Sequence, residues 1–481
     1  MKHRWYLSRA ITMVLTLLLL ASCAASQRSL TSIPAPPTVI STQSIPTSTF
    51  LPTAATHSPS EPALTQPIPV APEIHAWLRE HAIPFDTTDP NSDFADLMPL
   101  KKLIGDARIV ALGEATHGTH EFFEMKDRML RFLVEEMGFN TFAIESNWPE
   151  ANLVNDYVQT GKGDPVPLLG ELGAPWQTQE VLNMIRWMRA HNENPGDAPL
   201  VSFAGFDMQF YTMAMDNVTA FLEKVDPDRA TPTTELYHCF RQYSNRELIY
   251  SHLSAETKTK CRANLQAVFD QLSQQQSAYE ARSSSKEFVW ALQNARLVLQ
   301  AEHPFGSGDE RNMLGDRDRY MAENVAWLLD QAGPNAKIVL WAHNFHVGTH
   351  VADSGLTWEP MGAYLRERYR DQMVVFGFSF YQGSFTTVDS LTAFSVELPP
   401  ENSYEYYFHS AELPRFFLDL RGLPSDSQAT NWLLTSHPFR HIGARYTPST
   451  PEDFFLSGIL PQMFDIIIYF QDTSPSLRLG R

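Results

Sequence analysis

Three cysteines in 481 residues are too few for a disulfide scaffold or a zinc-finger array. The 23 glycines form no glycine-rich phosphate loop, and there is no H-E-x-x-H metal motif. Positive charge is scarce: 37 Lys and Arg face 55 Asp and Glu, a formal net of −18. Such a surface repels phosphates and anionic headgroups, so no nucleic-acid partner and no membrane-wrapping face are expected. No apolar run reaches the about 20 residues that span a bilayer. What is present is a hydrophobic content of 43% and an aromatic content of 12%, enough for a large core. A wholly disordered chain is thereby excluded. At about 150 residues per domain the length suggests about three domains, a number that the N-terminus reduces.

Lys2, Arg4 and Arg9 precede a 12-residue apolar run from Ala10 to Ala21, the pattern of a signal peptide. The run ends in Leu20-Ala21-Ser22-Cys23, which resembles a bacterial lipobox, with Cys23 as the lipidated first residue of the mature chain. An ordinary signal followed by a chance cysteine is the alternative. From Ala24 to Pro72 the chain is Ser, Thr, Pro and Ala with only Arg28 and Glu61 charged, so it is expected to be a semi-extended tether. The expected organisation is a signal peptide over 1–22, a lipidated tether over 23–72 and one catalytic unit over 73–481. The acidic excess belongs to that last part and deepens there to −21, because four of the 37 basic residues but only one of the 55 acidic ones lie upstream. Cys239 and Cys261 lie inside it and, in an exported protein, are a disulfide candidate; two buried free thiols are the other possibility.

Within 73–481, β-like runs end in polar turns. Arg108 to Gly113 leads into Glu114 and His117, Thr141 to Ile144 into Glu145, and Val201 to Phe206 into Asp207. Lys337 to Ala342 leads into His343 and His346, and two further strands are expected over Met373–Phe380 and Asp465–Phe470. Helical spacing appears between the runs, over 121–136, 178–191 and 311–331. This alternation predicts an α/β fold with a mostly parallel central sheet flanked by helices. The stretch 213–301 has helical pattern and no strand, and is expected to be a helical lobe inserted over the cleft.

Open parallel sheets bind ligands beyond the carboxyl ends of their strands. Here those ends carry Glu114, Glu145 and Asp207 with His117, His343 and His346. Each has an ordinary structural explanation taken singly; their recurrence at successive strand ends points to a site. A nucleophilic serine is not signalled, since Gly377-Phe378-Ser379-Phe380-Tyr381 lacks the second glycine of an elbow. Acid/base work on water remains, for which a histidine held by a carboxylate is suited. Lys126 and Arg128, on the helix after the first turn, are candidates to face substrate together with Asp207, a solvated position being the alternative for both.

Gly113-Glu114-Ala115-Thr116-His117-Gly118, then Thr119-His120-Glu121-Phe122-Phe123, strongly resembles the erythromycin esterase family. So do Phe142 to Glu145, Asn155 to Tyr157, Gly205 to Asp207, Arg317 to Asn324, Trp341 to His346 and Phe464 to Tyr469, in the family's order. The resemblance covers about residue 75 to the end and leaves out the lipobox and tether.

It implies a hydrolase that opens the lactone ester of macrolide antibiotics, an antibiotic-resistance activity, without a serine nucleophile. His117 matches the water-activating histidine, Glu114 and Glu145 the carboxylates grouped with it, and His343 and His346 the second histidine pair. No cofactor is expected, although the Glu/His cluster has ligands suited to a divalent metal. A metal-dependent hydrolase of another ester is an alternative. So is a lipoprotein on the same fold that binds a metal, haem or a glycan precursor. The expected setting is the bacterial cell envelope: exported, anchored by lipid only, catalytic unit outside the cytoplasm, a monomer meeting a small-molecule ester.

Overall fold

Val110, Leu112, Phe142, Ile144, Val339 and Trp341 are buried in one apolar cluster, while Ile109, Ala111, Ala143, Ile338 and Leu340 are buried in another. Successive residues of one strand thus enter opposite cores, so both faces of the sheet are covered. That is the environment in which parallel strands are stable. The structure, a computed structural model, describes residues 70–480 without 308–309, 352–357 and 389–391, and without the side chains of 310–312. The signal-like segment, Cys23 and almost all of the tether lie outside the described residues.

Among the described residues the strands are β1 (Ile83–Pro84), β2 (Ile109–Leu112), β3 (Thr141–Asn147), β4 (Ser202–Asp207), β5 (Ile338–Trp341) and β6 (Met373–Phe385). They continue with β7 (Phe394–Ser395), β8 (Arg415–Asp419), β9 (His437–Arg440), β10 (Phe455–Gly458) and β11 (Ile466–Thr473). The sheet order is β1-β8-β11-β6-β2-β5-β3-β4, with β7 on β6. From β11 to β4 every neighbour is parallel, while β8 and β1 close the other edge antiparallel. β9 and β10 pair separately. All six runs expected as strands are in the sheet. β8 was not expected, because Phe416, Phe417 and Leu418 form so short an apolar run that only β11 beside it makes it a strand.

Helices His120–Met137, Trp148–Thr160 and Gln179–Glu193 supply much of one core. The opposite core takes residues from helices between Thr212 and Ser307 and from Glu310–Ala332. The described part of 213–301 contains helices and no strand. Two of its helices, Pro227–Arg241 and Ala255–Gln274, are joined by a Cys239–Cys261 disulfide. Among the described residues no helix is long and apolar enough to cross a membrane.

Two features bring the strand ends together. β5 lies between β2 and β3, so the turns after β2 and β5 and the end of β3 are neighbours. β3 then shifts register against β4 between Ile144 and Asn147, a bulge that re-aims Glu145. Gly205 permits this: a Cβ there would stand 2.3 Å from the Ser146 carbonyl oxygen. Gly113 serves the adjoining turn, where a Cβ would meet Asn344 Oδ1 at 2.1 Å.

Candidate active site

The turn after β2 places Glu114 and His117 three residues apart, and His117 Nδ1 lies 2.6 Å from Glu114 Oε1. A carboxylate only accepts, so Nδ1 carries the ring proton and the Nε2 lone pair is left outward. No protein group among the described residues bonds that nitrogen, and the side chain is 12% exposed. Glu114 Oε2 accepts from Lys126 Nζ at 2.5 Å and from Trp341 Nε1 at 2.7 Å. Burial works against the Glu114 charge, but Lys126 and His117 overcome it and hold its pKa below the carboxylate norm. Burial pushes Lys126 down to about 8 in spite of Glu114. The ammonium also stands 4.3 Å from the Trp341 ring centroid.

A second cluster forms around Glu145. Its Oε1 accepts from Arg317 Nη2 at 2.8 Å, and its Oε2 from the His343 backbone N–H at 3.0 Å. Arg317 also bonds both oxygens of Asp207, at 2.8 and 3.3 Å. Burial opposes the Glu145 charge, yet His346 and Arg317 hold its pKa well below normal; Asp207 and Glu145 in turn keep Arg317 firmly protonated. His346 Nδ1 donates to Asp318 Oδ1 at 2.7 Å, and its Nε2 is 3.3 Å from Glu145 Oε1. Burial disfavours a charge on His346, but Asp318 and Glu145 outweigh burial and Arg317, and its pKa stands at about 10. The 3.0 Å approach of Arg317 Nη1 to Nε2 suits the neutral ring instead. Three carboxylates around one guanidinium favour the proton, so at neutral pH the ring is an imidazolium that shares Glu145 with Arg317.

His343 has a different fate. Its Nδ1 accepts the Phe345 N–H at 3.2 Å as the cap of the short helix Asn344–Val347, and its Nε2–H donates to the Ile442 carbonyl at 3.2 Å. Burial, His441 and His117 hold its pKa well below normal, so it is neutral. Both ring nitrogens of His343 are thus occupied within the protein. Arg128, a candidate to face substrate, is bonded elsewhere. It donates to Asp96, Asp93 and Thr87, away from the strand ends. Residues two apart on a helix point in nearly opposite directions, so Lys126 and Arg128 cannot share a cleft. Lys126 and Asp207 are in the site, but each is spent on an internal partner.

Arg317 and Asp318 were not singled out by sequence reasoning, although they lie in the Arg317–Asn324 motif. His441, which follows β9, carried no signal at all; its ring packs 4.6 Å from that of His343. Met208, Ala301, Pro304, Phe305 and Met313 line a small hollow that adjoins Arg317, so the end of the helical segment reaches the site. Among the described residues no three His, Cys, Asp or Glu side chains converge to hold a metal ion. Glu114 and Glu145, the natural first ligands, already face Lys126 and Arg317.

Comparison with known proteins connects this geometry to a family. The profile described as erythromycin esterase matches residues 134–473, downstream of Glu114 and His117. A Bacillus subtilis protein, YbfO, provisionally named a hydrolase, is 28% identical over 427 residues, 83% of this chain and 91% of its own. Erythromycin esterase type II of Escherichia coli is 25% identical over 380 residues, 73% of this chain and 90% of its own. The solved structure of an erythromycin esterase EreC mutant in its open conformation superposes with a TM-score of 0.63 at 19% identity, covering 82% of this chain and 97% of that one.

Proposed function

The chain belongs to the erythromycin esterase family, and from that membership we propose that it opens the lactone ring of macrolide-like esters with a histidine-activated water. Its enzyme class is carboxylic ester hydrolase. The observation that carries the mechanism is the Glu114–His117 pair, whose Nε2 no protein group among the described residues bonds. That nitrogen takes a proton from water as the oxygen bonds to the ester carbonyl carbon. Glu114 fixes the tautomer and stabilises the imidazolium that forms, and Lys126 and Trp341 fix Glu114. The Arg317 and His346 cations are paired with Glu145, Asp207 and Asp318 and brace the strand ends beside this pair. As the intermediate collapses, the ester C–O bond breaks and the leaving alkoxide regains the proton from His117.

The activity is proposed to be metal-independent, because the cluster carboxylates are already charge-paired with Lys126 and Arg317. The test is a mass-spectrometric screen of purified protein against erythromycin and a panel of unrelated esters, with and without a chelator. A macrolide product heavier by one water supports the reading. Hydrolysis confined to other esters would move the substrate, and turnover restored only by one divalent ion would reverse the metal assignment. The name of YbfO, which specifies no substrate, keeps the panel broad.

The enzyme is further proposed to be an exported, lipid-anchored monomer of the bacterial envelope, from the Leu20–Cys23 pattern and the tether composition. Cys23→Ser should move it from the membrane fraction to the soluble one; persistence in the membrane would sink the anchor.

A further inference from the structure

Ester hydrolysis needs a donor for the oxygen that becomes negative, and a misplaced one costs about 10²–10³-fold in kcat. Most candidates near His117 are already committed. The ring nitrogens of His343 are taken by Phe345 and Ile442. Those of His346 face Asp318, Arg317 and Glu145. The Lys126 ammonium is held by Glu114.

His441 differs. Its backbone N–H donates to the Phe454 carbonyl at 2.8 Å, and the next N–H, of Ile442, donates to the Ala115 carbonyl at 2.8 Å. The Ile442 carbonyl accepts from His343. These bonds pin residues 441–442 to the turn between Glu114 and His117 and to the turn after β5. The His441 ring stands nearly perpendicular to that of His343, centroids 4.6 Å apart at 83°, and 4.9 Å from Phe345. The His343 ring is itself 5.1 Å from His117, so three imidazoles line one wall. Among the described residues no protein group bonds either nitrogen of His441, and the side chain is partly exposed.

We propose that His441 is a further catalytic residue, donating a ring N–H to the oxyanion that forms when water attacks the ester carbonyl. This rests on the hydrolase reading above. No proton leaves His441: the carbonyl π pair moves onto oxygen, which accepts the hydrogen bond and is released when the carbonyl re-forms. A neutral imidazole suits the task, since it polarises the oxygen without competing for Glu114 or Glu145. Burial, with His346 and His117 nearby, pushes His441 down to about 3 and keeps it neutral over the working range.

The experiment compares wild type, His441→Ala, His441→Phe and His441→Gln on the best ester from the panel. The expected result is a 10²–10³-fold fall in kcat for Ala and Phe with KM within about threefold, partial rescue by Gln, and an unchanged acid limb in the pH profile. Phe keeps the ring packing, so a loss confined to Ala would mark a structural role and overturn the proposal. Unchanged kcat in both would overturn it too, as would disappearance of the acid limb in Gln, which would make His441 the base. If wild type hydrolyses nothing on the panel, the hydrolase reading itself has failed, a result separable from the other three.

Discussion

Two carboxylate–histidine clusters face each other across the strand ends, built from similar residue types and left in opposite states. Around Glu114 the carboxylate is saturated by Lys126, Trp341 and His117, while His117 keeps one nitrogen free. Around Glu145 the saturation includes the histidine: His346 is bound at Nδ1 by Asp318 and crowded at Nε2 by Arg317 and Glu145. The first arrangement makes a base, because a fixed tautomer presents a lone pair to water. The second makes a charged wall, because its groups neutralise one another and none is free to move a proton far. Residue type alone does not separate these roles; hydrogen-bond occupancy does.

His117→Ala is the strongest way to break the contrast. It should lower kcat by about 10⁴-fold while the thermal midpoint stays within a few degrees. Activity within tenfold of wild type would transfer the base to the other cluster. Arg317→Leu attacks the wall and should act on stability first. Glu145 and Asp207 would be left buried without their cation, at a cost of about 3–5 kcal/mol, read by denaturant unfolding. A change under about 1 kcal/mol would mean that His346 alone balances them. The smallest effect concerns pH. Below about 8 Lys126 is an ammonium and balances Glu114; above it the amine is neutral and Glu114 loses its cation. The rate should fall along an alkaline limb near pH 8, and Lys126→Arg, which stays protonated, should carry that limb past about pH 10. An unmoved limb would place the alkaline group elsewhere.

Much of the framework was legible in the chain. The runs Ile109–Leu112 and Ile338–Trp341 are wholly apolar, as strands buried on both faces must be, and the polar turns after them mark the ligand end. The helices 121–136 and 311–331 appear within a residue or so of their expected bounds because their apolar spacing is long and regular. What escaped was nonlocal. Arg317, on a helix, bonds carboxylates from two strands, and His441 enters through its own hydrogen bond to Phe454 and that of Ile442 to Ala115. Lys126 and Arg128 are near neighbours along the chain, and the helix sends them to different partners, Glu114 and Asp96.

By itself, then, the sequence determined the α/β class and the strand ends that carry Glu114, His117 and Glu145, since periodicity and apolar runs are local quantities, while the bond from His117 to Glu114 is read from the structure. Tertiary structure decided which of the histidines is free. A ring nitrogen is used or left open by carbonyls, carboxylates and guanidinium groups that arrive from distant strands and loops. His343 was silenced by the Ile442 carbonyl, His346 was enclosed by Asp318 and Arg317, and His117 met Glu114 at Nδ1 and kept Nε2 unbonded among the described residues.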